Sequence, residues 1–367
     1  MADPAAMDAP QTDRLAALDL LRGLAALAIV TRHFPWPGDL IGFLPRDYLA
    51  VDLFFVLSGF VLARAYWPSL SQEQGARTFL VRRLTRLYPL YLLATLLAAA
   101  FAFANGAPLG SWAATLGANL LFLPAPPDAA MGPNLFPFVY PAWSLFWELL
   151  ANLLFAAIAF RLRGPLLPAV LLTGFLLVGL AAQQFGSLDA GARWTDLAGG
   201  GCRVLYGFFA GVALYFLHAR LRVRIALPDW LLGLALLAAF APGTGLAFGA
   251  GYDFLAATVF FPLLVLLGAN ARTNPLSRRI GAGLGGVSYG VYVLHQPIQQ
   301  LGTLLVSTET LGASGIPGLT VLVVVTFIVA WAATRWIDAP AQLWIRRRRA
   351  QCAPADPTLT TSYPAAQ

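Results

Sequence analysis

The stretch Leu18–Phe34, LDLLRGLAALAIVTRHF, sets an arginine and a histidine eleven residues apart inside one apolar run. Ionisable side chains in a membrane-length apolar segment are costly and by default point to function. Eleven helical steps of about 100° bring both side chains back to one face, about 16 Å apart along the axis. Arg22 and His33 therefore require a polar lining at two depths, and the run that carries them reads as a first membrane-crossing helix.

Composition extends this reading to the whole chain. Of 367 residues, 59% are hydrophobic and 11% charged, against about 25% charged in an ordinary soluble domain. The expected class is an all-α integral membrane protein. The first apolar stretch is too long for the apolar core of a cleaved signal peptide. Every basic residue is arginine, and the absence of lysine excludes a lysine Schiff base or an acyl-lysine intermediate. The net charge of +7 follows from anchoring at the cytoplasmic face, so no nucleic-acid partner is expected. Cys202 and Cys352 are too few for a disulfide framework, and three histidines without HExxH or a Cys/His cluster predict no metal site.

Segments of about 20 apolar residues are long enough to cross a bilayer. Ten are expected, near 15–34, 48–67, 87–106, 142–160, 165–184, 200–218, 225–244, 250–269, 283–305 and 317–337. The shorter stretch 108–124 reads as interfacial or re-entrant, followed by a Pro-rich loop. Arginines crowd alternate loops: Arg77, Arg82, Arg83 and Arg86; Arg161 and Arg163; Arg220, Arg222 and Arg224; Arg272, Arg278 and Arg279; and Arg346 to Arg349. The intervening loops hold Arg46 and Arg193. Positive loops stay inside, so both termini are expected in the cytoplasm. Residues 1–14 then form a cytoplasmic segment, 15–345 the transmembrane unit, and 346–367 a basic segment with a disordered tail.

This topology assigns depths. Asp19 and Arg22 fall in the inner part of span one, while His33, Asp52 and Glu148 fall in the outer parts of spans one, two and four. A buried histidine beside a carboxylate is one of the few arrangements lipid tolerates, so Asp52 or Glu148 is expected to hold His33. Arg82, Arg83 and Arg86 suit a polyanion, because a guanidinium fork grips phosphate oxygens in pairs. Structural readings stand beside these. Asp19 and Arg22 form a self-neutralising i,i+3 pair, Arg82 is a topology anchor, and His295 serves either packing or chemistry.

Five stretches in order, LDLLRGLAALAIVTRHF, VDLFFVLSGF (Val51–Phe60), RRLTRLYP (Arg82–Pro89), PAWSLFWE (Pro141–Glu148) and SYGVYVLHQP (Ser288–Pro297), together resemble the membrane acyltransferase type 3 family, whose members O-acylate cell-surface glycans and related acceptors. The resemblance implies an essential histidine at His33 with its partner Arg22. It also implies an acyl-CoA-binding pair at Arg83 and Arg86, and a Trp-Ser-carboxylate motif at Trp143, Ser144 and Glu148. The chain departs from the family pattern at Asp338-Ala339-Pro340, where Glu-x-Pro is frequent, and at Glu148, which stands without a paired acid.

The expected reaction moves an acyl group, acetyl by default, from cytoplasmic acyl-CoA to a glycan or lipid-linked glycan hydroxyl, in a bacterial inner membrane. The acyl-CoA is a co-substrate and no cofactor is bound permanently; membrane lipids are the other partners. His33 is the candidate base, Arg22 a donor or oxyanion contact, and Ser58 and Ser144 leave a covalent acyl-enzyme open. Asp19, Trp143, Tyr289 and His295 contact substrate or serve structure. Two other classes compete: a proton-coupled transporter of a glycan precursor or small anion, and a non-catalytic member of a glycan-assembly complex.

Overall fold

A computed structural model describes residues 15–36, 44–70, 75–162, 164–221, 226–243 and 249–352. The expected segment 1–14, the tail beyond 352, and Arg163, Arg222 and Arg224 lie outside the described residues. Among the described residues the structure is helical, with isolated bridges and no strand. In chain order the helices are α1 (Ala16–Arg32), α2 (Ala50–Leu70), α3 (Ala76–Ala104), α4 (Leu109–Leu120), α5 (Ala142–Ile158), α6 (Leu166–Phe185) and α7 (Leu197–Leu221). They continue with α8 (Asp229–Phe240), α9 (Gly249–Leu255), α10 (Phe261–Gly268), α11 (Pro275–Gly302), α12 (Thr308–Ala313), α13 (Gly315–Ala333) and α14 (Ala339–Cys352). A π-helical turn joins α9 to α10 at Ala256–Phe260, and another joins α13 to α14 at Thr334–Asp338.

Among the described residues, seven helical stretches are long and apolar enough to cross a membrane: those built on α2, α3, α5, α6, α7, α9–α10 and α13–α14. The three other expected spans fall on α1, with 17 residues, α8, with 12, and α11. The last is 28 residues long, but it carries Arg278, Arg279, His295 and three glutamines. The segment 108–124 contains the short α4 and then leaves helix for an irregular stretch to Tyr140. One boundary moves substantially. Helix α3 begins at Ala76 rather than near residue 87 and runs unbroken through Pro89, so RRLTRLYP lies inside the helix and not ahead of it.

Helix α1 packs in parallel along α11, and small residues allow the approach. A Cβ added at Gly281 would stand 2.6 Å from the Ala16 carbonyl oxygen, and one at Gly285 2.7 Å from the Asp19 Cβ. In lipid, where burial between helices gains little, such close backbone contact is a main source of helix association. Helices α2 and α7 approach similarly, with Gly59 against the Phe208 carbonyl and Gly211 against that of Val56. These two pairs bring the C-terminal ends of α1 and α11 together with the N-terminal ends of α2, α5 and α7. The site lies at that end.

Adding one methyl at each of two neighbouring positions tests this packing. Gly285→Ala is expected to lower the thermal unfolding midpoint of the detergent-solubilised protein, at about 1–3 kcal/mol for overpacking. Gly286→Ala, where an added Cβ meets nothing within 4 Å, is expected to leave the midpoint unchanged.

Candidate active site

The histidine singled out by sequence is paired with a second histidine rather than a carboxylate. His33 Nδ1 stands 3.2 Å from His295 Nε2 and 2.9 Å from the Ile29 carbonyl oxygen, with ring centroids 4.9 Å apart. His295 is buried, and its Nδ1 faces the Val291 carbonyl oxygen at 3.1 Å. A carbonyl only accepts, so His295 Nδ1 carries a hydrogen. In neutral His295 the Nε2 is then an acceptor. His33 Nδ1 faces two acceptors and must itself donate. The pattern assigns His33 the Nδ1–H tautomer and leaves Nε2 as a bare lone pair.

His33 opens on a cavity of about 120 Å³. Its walls come from α1 (Ile29, Arg32), α2 and the turn before it (Tyr48, Val51), the start of α5 (Tyr140, Pro141, Trp143) and α11 (Tyr292). Asp189, Arg193, Asp196 and Arg203 complete the lining. The loop that carries Asp189 to Asp196 is fastened from several sides. Leu188 N–H donates to Asp253, Leu135 N–H to the Ala192 carbonyl, and Gly191 and Arg193 N–H both to Asp196 Oδ1. One wall of the cavity is thus made from irregular backbone whose polar groups are paired within the protein.

The expected partnership of Asp52 with His33 does not form. Asp52 is buried and takes a two-pronged ion pair from Arg203, with Nε at 3.0 Å and Nη2 at 2.7 Å. Arg203 also donates to the carbonyls of Ala190 (2.8 Å) and Tyr48 (3.1 Å), and its guanidinium lies 5.3 Å from the Trp143 ring centre. The pair is a frame that fixes α2, α7 and the cavity wall. Sequence reasoning missed Arg203, although an arginine inside an apolar span is itself a signal. It also missed the buried set of Arg46, Tyr48 and Asp253, in which Arg46 and Tyr48 both donate to the Asp253 carboxylate. Arg32 at the end of α1 bridges Asp47 (3.1 Å) and Asp189.

Glu148 likewise belongs elsewhere. Its Oε1 accepts from Arg83 Nη2 at 2.6 Å and from Ser58 Oγ at 2.5 Å, so residues expected at opposite depths form one pair within the helical bundle. The early start of α3 carries Arg83 upward to make this possible. Arg86 pairs with Asp338 at 2.9 Å and lies 5.5 Å from the Tyr289 ring centre. Asp338 is the acid of the variant Asp-Ala-Pro, and Gln342 also donates to it, at 3.1 Å. Tyr289 donates to the Leu87 carbonyl, while Arg82 is half-buried on α3. Arg22 pairs with Asp19 one turn earlier, stands 3.5 Å from the Gly285 carbonyl oxygen, and does not line the His33 cavity. Ser144 and the buried Tyr292 share a 2.7 Å hydrogen bond beneath the cavity. Among the described residues, no group of three or more His, Cys, Asp or Glu side chains is arranged to hold a metal ion.

The helical bundle agrees with what comparison finds. A family described as an acyltransferase domain matches residues 15–335, and the chain belongs to this acyltransferase type 3 family. It is an acyl-transferring enzyme and a multi-pass membrane protein. It is 41% identical over 194 residues to "Protein 2 in picA locus" of Rhizobium radiobacter, covering 47% of this chain and 97% of that one. It is 29% identical over 255 residues to the exopolysaccharide production protein ExoZ of Rhizobium meliloti, covering 67% and 74%. It is 31% identical over 155 residues to the acyltransferase MdmB of Streptomyces mycarofaciens, covering 38% of each. No solved structure matches the chain.

Removing one member of a buried ion pair leaves an uncompensated charge, at about 3–5 kcal/mol. Asp52→Leu is expected to destabilise the solubilised protein by that amount. Asp52→Leu combined with Arg203→Met should recover part of the loss, read as a double-mutant cycle in thermal unfolding. Additive losses would remove the frame assignment.

Proposed function

We propose that this enzyme moves an acyl group, acetyl by default, from a cytoplasmic acyl-CoA to a hydroxyl of a cell-surface or periplasmic glycan, with His33 as general base. In this reading ten helices cross a bacterial inner membrane, both termini are cytoplasmic, and the His33 cavity faces outward. The observation that carries it is the bare Nε2 of His33 at a cavity of about 120 Å³, with its Nδ1–H held by His295. The relative that acts in exopolysaccharide production supports a glycan acceptor.

Acyl transfer to a hydroxyl needs a base, charge stabilisation and alignment. The acceptor hydroxyl gives its proton to His33 Nε2 as its oxygen attacks the thioester carbonyl. The C–S bond then breaks, and the departing thiolate takes the proton from the imidazolium. His295 Nε2 and the Ile29 carbonyl accept from Nδ1–H throughout, the part first expected of Asp52 or Glu148. The donor's phosphates bind at Arg82 and Arg86, where Asp338 is the internal anion a phosphate would displace. Arg83 with Glu148 and Ser58, and Ser144 with Tyr292, give polar contacts between the two ends for the donor's amide-bearing arm. A transporter would need a carboxylate available to carry protons. Asp52, Glu148, Asp253 and Asp338 each pair with an arginine, so four of the bundle's acids have a structural partner, which favours the enzyme.

His33→Ala is expected to abolish label transfer from acetyl-CoA to surface polysaccharide, with protein abundance and donor binding kept. Unchanged turnover would rule out the base. His295→Phe is expected to lower kcat about 10–100-fold, as a lost charge-assisted hydrogen bond of roughly 1.5–3 kcal/mol predicts, with KM for the donor unchanged. Arg86→Gln should do the reverse, weakening CoA binding by about 10-fold or more and sparing the pH dependence of kcat.

A further inference from the structure

Attack on a thioester carbonyl throws negative charge onto the carbonyl oxygen, and a donor aimed at that oxygen is commonly the largest single catalytic contribution. Donors around His33 can be counted. Arg203 is committed through all three of its nitrogens to Asp52, Ala190 and Tyr48. Arg32 is committed to Asp47 and Asp189. The Tyr48 hydroxyl donates to Asp253, and the Tyr292 hydroxyl is bound within the Ser144 and Pro141 pair. Arg193 stands exposed at the rim, and Trp143 lies under the Arg203 guanidinium.

Tyr140 differs from all of these. Its ring meets the His33 ring edge-on, with centroids 5.5 Å apart, and lines the same cavity. Its hydroxyl makes no hydrogen bond among the described residues, whereas its backbone N–H donates to Gln296 Oε1 at 2.6 Å. Gln296 is the neighbour of His295 on α11, so two consecutive residues hold His33 and Tyr140 in mutual register. Tyr140 lies in the loop ahead of α5, outside the spans. Burial first, and then Asp189, push its phenol above the ordinary tyrosine value, which keeps the proton on the oxygen.

We propose that the Tyr140 hydroxyl is the oxyanion donor of the transfer step, an inference that rests on the acyl-transfer reading above. As the acceptor oxygen bonds to the thioester carbon and its proton passes to His33 Nε2, the carbonyl π pair moves onto oxygen and accepts the Tyr140 O–H. When the carbonyl re-forms, the C–S bond breaks and the sulfur takes the proton from His33. Tyr140 donates a hydrogen bond in both steps and keeps its proton.

The test uses membranes containing the full-length protein, acetyl-CoA labelled in its acetyl group, and initial rates of label transfer to the host's extracellular polysaccharide. Tyr140→Phe preserves the ring contact and the backbone bond to Gln296. It is expected to lower kcat about 10²–10³-fold with KM for acetyl-CoA within about 2-fold and an unchanged thermal midpoint. Fluorinated tyrosines of graded acidity at position 140 should give kcat values that track phenol acidity, a dependence that packing alone does not produce. Wild-type kcat in Tyr140→Phe, or no trend across the series, would overturn the assignment while loss of transfer in His33→Ala still upheld the base. Transfer that survives His33→Ala, or no transfer by the wild-type protein, would instead bring down the reading beneath it.

Discussion

The α1–α11 contact is the constraint on which the rest of the site depends. Two parallel helices approach until a single methyl at Gly285 would collide with Asp19, and that separation carries one histidine from each helix into hydrogen-bond range. Neither imidazole is then free to choose its tautomer. Each Nδ1 is turned to the carbonyl four residues back on its own helix, and the pair has one consistent hydrogen pattern. A neutral pair of this kind gives orientation without placing a carboxylate's charge beside the base.

Arginine–carboxylate pairs form the surrounding frame. In a medium that solvates ions poorly, each charge requires a partner nearby, and here the partners come from different elements: Asp52 with Arg203, Glu148 with Arg83, Asp253 with Arg46 of the turn before α2, and Asp338 with Arg86. Each pair therefore works as a cross-link between elements distant in sequence. Ionisable residues that look like candidate chemistry in isolation become scaffolding once paired, whereas His33 and Tyr140 line the cavity with no ion-pair partner among the described residues.

Much of this was legible in the sequence. Periodic apolar runs locate the helices, the i,i+3 spacing of Asp19 and Arg22 announces their pair, and the cost of burying an imidazole singles out His33. Lateral neighbours were not legible. Depth along one helix is written in its sequence, but which helix stands beside it is not, so His33, Asp52 and Glu148 shared a depth without sharing a contact. Arg83 was assigned to the wrong level because α3 starts well before its apolar run. Tyr140 gave no signal, since an irregular loop has no periodicity and its position depends on Gln296 far along the chain.

The Arg203 fork also shows what an arginine supplies here that a lysine would not. An ammonium is a compact point charge with three donors on a flexible stem. It cannot grip both Asp52 oxygens in plane while reaching two separate carbonyls. A guanidinium keeps its charge at any pH the cell meets, so these cross-links do not loosen under alkaline stress. Replacing Arg203 by lysine would therefore lose the two-pronged grip on Asp52 together with one or both of the bonds to the Ala190 and Tyr48 carbonyls.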